Sequence, residues 1–261
     1  MDWQRADVPV QTRAPAGETA AYLLGDDAAL LVDPADTSSA LDALVDARSI
    51  AHITVTHHHP DHVGAVAHYA TEMDATVWAR RGRSGAFEAA TGVRPDRVFS
   101  EGTAIPTDAG PVTVIDTPGH VPEHVAFEAG DTIISGDLAV AEGSVVVGAP
   151  DGDVRAYLTS LRRLAARDPA RLLPSHGPII DAPRKTCARL ISHRLNREHR
   201  VRAAVHEGAR TLDAILDAAY EKDLTGIRDL ARATVRAHVE KLAVEDDLSW
   251  DGERAEPVRP G

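Results

Sequence analysis

The chain has 261 residues, 43% hydrophobic and 26% charged, ordinary values for a globular protein that exclude wholesale disorder. No apolar run approaches the roughly 20 residues needed to cross a bilayer, so a membrane span is excluded as well. The net charge of −12, from 40 acidic and 28 basic residues, argues against a non-specific nucleic-acid binder.

The polar N-terminus, Met1 to Asp7, lacks the apolar stretch of a secretory signal, which points to the cytoplasm. A single cysteine, Cys187, rules out an internal disulfide and a thiolate-rich metal site. Of the basic residues 25 are arginine, and an acidic surface poor in lysine suits a halophilic type of protein. A GC-rich genome would favour arginine in the same way. The charge is uneven. Residues 1–183 carry a net −13, residues 184–241 a net +5 and the last twenty a net −4.

From Thr19 to about Asp137 the pattern is one of short strands separated by turn signals. Ala20–Leu24 and Ala28–Val32 form a hairpin across Gly25-Asp26-Asp27. Residues 36–47 are helical, with Leu41, Leu44 and Val45 on one face. A buried strand at 53–56 runs into a histidine-rich loop, a helix follows over about 63–72, and a strand over 75–79. Residues 80–110 show little pattern and predict loops with one short helix. Strands are expected at 112–115, 124–128, 132–135 and 171–174, with an amphipathic helix over 153–167. After Pro183 the pattern turns purely helical, at 184–206, 211–220 and 230–243. The end, Val244 to Trp250, reads as a β-wing, so a small winged-helix-like domain is expected. The domain expectation is therefore 1–182 and 183–261.

The strongest chemical signal is Thr56-His57-His58-His59-Pro60-Asp61-His62, directly after a buried strand. Imidazole and carboxylate are the ligands that suit zinc and similar divalent ions. His57 and His59, two apart on an extended segment, point to the same side. Asp61 and His62 follow where the chain enters a helix, Gly64 supplies a tight turn, and His58 points away. Three further candidates each close a predicted strand: His120, Asp137 and His176. Any one alone would more often be a plain loop residue; their joint placement at strand ends carries the argument.

Together these residues resemble the metallo-β-lactamase superfamily, in order from Thr19 to about Pro178. The resemblance implies an α/β fold, an αββα sandwich with a dinuclear metal site at one edge. It implies that His57, His59 and His120 hold one ion, that Asp61, His62 and His176 hold a second, and that Asp137 bridges the two. The two divalent ions would be zinc, with iron or manganese as alternatives for the same ligands. They would supply a bridging hydroxide for attack on a carbonyl or phosphoryl centre, with Asp61 as the catalytic residue that orients it or relays its proton. Asp33 resembles the family's early strand-end aspartate, which supports the ligand loop from behind, and His124 is read as a supporting residue too.

The stretch Ile191 to Glu198 and the winged-helix-like segment resemble a subgroup that includes a mitochondrial single-strand endoribonuclease. The overall layout also resembles hydroxyacylglutathione hydrolase, a thioesterase. The first expectation is thus hydrolysis of a small ester or thioester, with His193 and Arg194 as substrate contacts. The second is a ribonuclease tracking phosphates with Arg189, Arg194, Arg197, Arg200 and Arg202. The third is a winged-helix binding module with a vestigial metal site. Base-stacking aromatics are scarce, with only Tyr220 and Trp250 in the C-terminal region, which weakens the nuclease reading. Homodimer formation through the C-terminal helices is a further expectation.

Overall fold

The computed structural model describes residues 2–221 and 223–258. The chain opens with β1 (Trp3–Pro9), β2 (Glu18–Leu24), β3 (Ala29–Val32), α1 (Ser39–Asp46) and β4 (Ile50–Thr54). There follow α2 (Pro60–Val63), α3 (Val66–Glu72), β5 (Thr76–Arg80), α4 (Ser84–Thr91) and β6 (Arg97–Phe99). The next strands are β7 (Ala104–Ile105), β8 (Val112–Asp116), β9 (Val125–Ala129) and β10 (Thr132–Gly136). The helix α5 (Val154–Ala166) and strand β11 (Arg171–Pro174) lead to α6 (Pro183–His206), α7 (Leu212–Ala219) and α8 (Arg228–Val244). A hairpin of β12 (Leu248–Trp250) and β13 (Ala255–Pro257) closes the described chain.

Contacts group the chain into two compact units. The first comprises residues 1–117, 123–143 and 167–183; the second comprises 118–122, 144–166 and 184–261. Within the first, two mixed sheets run β1-β2-β3-β4-β5-β6 and β11-β10-β9-β8-β7. The β3-β4-β5-β6 and β10-β11 pairs are parallel, the rest antiparallel.

Period-two alternation decides what each strand contributes. Along β2 and β3, Ala20, Tyr22, Leu24, Leu30 and Val32 pack with Val112, Val114, Val125, Phe127, Ile134 and Leu173 of the second sheet. The alternate residues Ala21, Leu23 and Leu31 face the other way, onto Leu41 and Val45 of α1, Val66 and Tyr69 of α3 and Phe87 of α4. Both faces of the first sheet are covered, which is why β2 and β3 are nearly continuous apolar runs. The Tyr22 hydroxyl, fully buried, donates to the Pro174 carbonyl at 2.7 Å and joins the two sheets at the end of β11.

Three features depart from the sequence expectation. The N-terminal strand β1 reads as polar because it pairs only with β2, and just Ala6 and Val8 of it are buried. Residues 80–110 contain α4 together with β6 and β7, strands of three and two residues, too short to show a period. The helix expected over 63–72 is broken at Gly64-Ala65. There the backbone N–H groups donate outward, to the carbonyls of Ala35 and Pro34, each at 3.0 Å. Gly64 lies in the turn between the two helices, in a right-handed conformation. Its lack of a Cβ is what matters, since one would lie 2.4 Å from the Ala35 oxygen.

The second unit has its own apolar core, built from Val201 and Val205 of α6, Ile215 and Leu216 of α7, Val235 and Val239 of α8, and Leu248 and Ala255 of the hairpin. Its polar interior lies along α6. Burial first, then the charges of Arg194, Arg197, Arg200 and Arg189, push the half-buried His193 imidazole down to about 4 from its ordinary 6.5. Burial likewise lowers His238. A histidine lowered on folding is stabilising when neutral, so its contribution is full above pH 6.5 and fades as pH falls toward 4. With allowance for solvent at His193, about 1 kcal/mol is lost by pH 5. The Tm of His193→Gln, followed by calorimetry, should fall roughly 2–4 °C less than wild type between pH 7 and 5. Parallel Tm curves would remove His193 as a source of acid instability.

Candidate metal centre

The histidine loop is shaped by what its backbone must bond to as β4 ends. Asp33, just past β3, is buried in a left-handed conformation with φ 53°, which aspartate tolerates better than most residues. Its Oδ1 accepts the Thr56 N–H at 2.6 Å, and its Oδ2 accepts the Thr56 hydroxyl at 2.8 Å. The Thr56 oxygen lies 3.1 Å from His57 Nδ1, which makes Nδ1 the protonated nitrogen and leaves Nε2 as the lone-pair donor. His57 Nε2 and His59 Nδ1 come to 3.0 Å of each other, on one side of the loop as their spacing predicts. His58 turns the other way, toward Glu123 at 3.6 Å and the Phe87 ring. Pro60 then starts α2, and its first turn carries Asp61 and His62.

The remaining candidate ligands of this unit arrive at the ends of β10 and β11. Asp137 follows Gly136, whose φ of 53° and close packing admit no side chain: a Cβ would lie 2.6 Å from His124 Nε2 and 2.9 Å from Thr56 Cβ. His124 is fully buried, accepts the Asp137 N–H on Nε2 at 3.0 Å, and so donates from Nδ1 to the Thr117 hydroxyl at 2.8 Å. It holds the Asp137 backbone in place. Past β11, the Ser175 hydroxyl donates to Asp33 Oδ2 at 3.1 Å, and His176 Nδ1 donates to the Glu18 carbonyl at 2.9 Å.

Asp61, His62, Asp137 and His176 thereby converge. His62 Nε2 stands 3.9 Å from both Asp61 Oδ1 and Asp137 Oδ2. His176 Nε2 stands 3.7 Å from Asp61 Oδ2 and 3.4 Å from Asp137 Oδ1. Ligands about 2.0–2.1 Å from a tetrahedral ion are roughly 3.3 Å apart, so these gaps match a shared cation rather than hydrogen bonds. His62 supports that fit. Its Nδ1 meets Asp33 Oδ2 at 3.1 Å, while the buried Nε2 has no hydrogen-bond partner among the described residues. Burial pushes this imidazole down, but the charge and hydrogen bond of Asp33, with Asp137 and Asp61 behind, outweigh it and hold it up at about 9. His176 is also raised: burial opposes, and Asp137 overrides it. The carboxylates make a pocket for positive charge.

His57, His59, Asp61, His62, Asp137 and His176 thus all fall within the first compact unit. His120 lies in the 118–122 loop of the second, where its Nδ1 donates to the Val146 carbonyl at 2.7 Å, again leaving Nε2 as the lone-pair nitrogen. Of the residues expected to touch substrate, His193 is half-buried on α6. Arg194 is 3% exposed, its guanidinium donating to the Val145 carbonyl and lying 5.4 Å from the Tyr157 ring centroid. Arg197, another member of the expected phosphate track, is 7% exposed, 3.7 Å from the Tyr220 ring centroid. Thr12 was not foreseen. Its hydroxyl donates to Asp61 Oδ2 at 2.5 Å from the loop between β1 and β2, and nothing in its sequence context signals that role.

Gly136→Ala tests how tightly Asp137 is set. The added methyl should displace His124 or Thr56, lower stability by about 1–3 kcal/mol in chemical denaturation, and weaken divalent-ion binding. Wild-type binding in a variant of wild-type stability would show that the glycine is dispensable.

The family described as the metallo-beta-lactamase superfamily matches residues 14–176. The beta-lactamase-like protein 2 homolog of Caenorhabditis elegans is 27% identical over 238 residues, covering 86% of this chain and 78% of that one. A hydroxyacylglutathione hydrolase of Acidiphilium cryptum is 31% identical over 150 residues, 56% of this chain and 58% of its own. In fold, a metallo-beta-lactamase family protein of Thermus thermophilus superposes with a TM-score of 0.79 at 23% identity, over 98% of both chains.

Proposed function

Because the chain belongs to the metallo-beta-lactamase superfamily, a family of metal-dependent hydrolases, we propose that it hydrolyses a small ester or thioester with two divalent ions, zinc foremost. The observation that carries this reading is the convergence of Asp61, His62, Asp137 and His176 with donor atoms 3.4–3.9 Å apart. In this assignment Asp61, His62 and His176 hold one ion, His57, His59 and His120 hold the other, and Asp137 serves both. Catalysis is assigned to residues 1–182, and residues 183–261 form a helical, winged-helix-like domain.

When bound, such an ion pair lowers the pKa of water toward neutrality and polarises the oxygen of the group under attack. The chain's own residues do the rest. Asp61 is the proton acceptor for the attacking water; the Thr12 hydroxyl on Oδ2 fixes its carboxylate plane and directs Oδ1 to that task. Asp33, the Glu18 carbonyl and His124 hold His62, His176 and Asp137, so that little reorganisation is needed as charge develops. A thioester is favoured as substrate because hydroxyacylglutathione hydrolase is among the relatives. The exclusion of Arg194 and Arg197 from solvent shortens the arginine track that RNA would need.

Elemental analysis of the purified chain should find close to two zinc ions, and S-acylglutathione should be cleaved. Asp61→Asn should lower that turnover by about 100-fold or more with Tm nearly unchanged. Undiminished turnover in Asp61→Asn would overturn the assignment of the proton acceptor. One iron per chain with uptake of oxygen would overturn the hydrolytic reading. Cleavage of single-stranded RNA that strengthens as salt is lowered, without thioester cleavage, would replace the substrate class.

A further inference from the structure

The segment 144–149 lies outside both sheets, with Val145 and Val147 buried and Val146 between them. Without a ladder, its backbone groups need other partners. The Ala149 N–H donates to the Ala233 carbonyl on α8 at 3.0 Å. Two carbonyls earlier in the segment are taken by side chains: Val145 by the Arg194 guanidinium from α6, and Val146 by Nδ1 of His120. All of these residues belong to the second compact unit.

Arg194 and His120 thus hold the carbonyls of two successive residues, Val145 and Val146. The loop carrying His120 is packed by the same group of residues. The Gly119 carbonyl accepts the Asp153 N–H at 2.9 Å, and the Pro118 carbonyl accepts the Ser160 hydroxyl at 2.8 Å. Gly119, at φ 139°, lies so close to Tyr157 that a Cβ would stand 2.4 Å from its backbone. The Tyr157 ring in turn lies beside the Arg194 guanidinium. A charged side chain this deeply buried is costly unless its hydrogen bonds are needed, and an ordinary packing role would be met by leucine.

We infer that Arg194 is a positioning residue: through the Val145 carbonyl it fixes the peptide unit next to the one that His120 bonds, and so holds the Val146 carbonyl that sets the tautomer and direction of that imidazole. The inference rests on the proposed role of His120 as a metal ligand. It makes α6 part of the machinery of the site without contact with substrate.

The test uses the full chain stripped of metal and titrated with zinc against a chelating indicator. Arg194→Met, which removes the donors but keeps an apolar stem, should weaken one of the two zinc sites by about 10–100-fold and leave the other within about twofold. His120→Ala should lose that same site, and the double variant should lose no more than His120→Ala alone. Arg194→Lys, which keeps the charge but offers one donor nitrogen, should fall between wild type and Arg194→Met, and decides the matter if the latter does not fold. Nitrogen NMR of the metal-free protein reports independently. Wild type should show His120 protonated on Nδ1, and Arg194→Met a mixture of tautomers. Equal weakening of both sites, or a His120 tautomer that ignores residue 194, would overturn the inference. A wild-type chain that binds no zinc at all would instead overturn the metal assignment beneath it.

Discussion

The first compact unit is organised around one buried carboxylate. Asp33 accepts the Thr56 N–H and hydroxyl, and it meets His62 Nδ1 and the Ser175 hydroxyl, all between 2.6 and 3.1 Å. These groups come from the ends of β3, β4 and β11 and from the first turn of α2, so one residue holds four pieces of chain in register. A fully buried aspartate is unfavourable without such partners. With them, its charge is satisfied and the histidine loop has one conformation. The left-handed backbone at Asp33 is the local strain that lets its side chain turn back toward the loop.

The same economy recurs at each imidazole. His62 is held by Asp33, His176 by the Glu18 carbonyl, His120 by the Val146 carbonyl and His124 by Thr117. In each case one ring nitrogen is committed to an oxygen, which fixes the direction of the other. His124 uses its lone pair on the Asp137 N–H, which separates it in role from the other three. A histidine count could not make that distinction.

In the second unit, α6 carries charge on its inward side as well as outward. Arg194 and Arg197 lie against the rings of Tyr157 and Tyr220, and Glu198 receives Lys241 from α8 at 2.9 Å. A helix of this kind lacks a clean apolar stripe, because stacked guanidinium groups fill places usually held by leucine. The net +5 of residues 184–241 is therefore partly an internal property and not a measure of exposed positive surface.

The sequence alone determined most of the alternation of strands and helices from β2 onward, since apolar period and turn residues act locally, but not β6 and β7, which are too short to show a period. It also singled out the imidazoles and carboxylates at 57, 59, 61, 62, 120, 137 and 176 as candidate ligands, since metal chemistry selects those groups. It could not reveal β1, whose partner strand supplies its stability, nor the break at Gly64, which exists because the 34–35 carbonyls accept the helix's N–H groups. Thr12, Ser175 and Arg194 were likewise out of reach as supporting residues. Their partners lie 49, 142 and 49 positions away along the chain, and only folding brings a hydroxyl or guanidinium within hydrogen-bond distance of its acceptor. Local patterning sets which residues are available; long-range hydrogen bonding decides which of them hold the site in place.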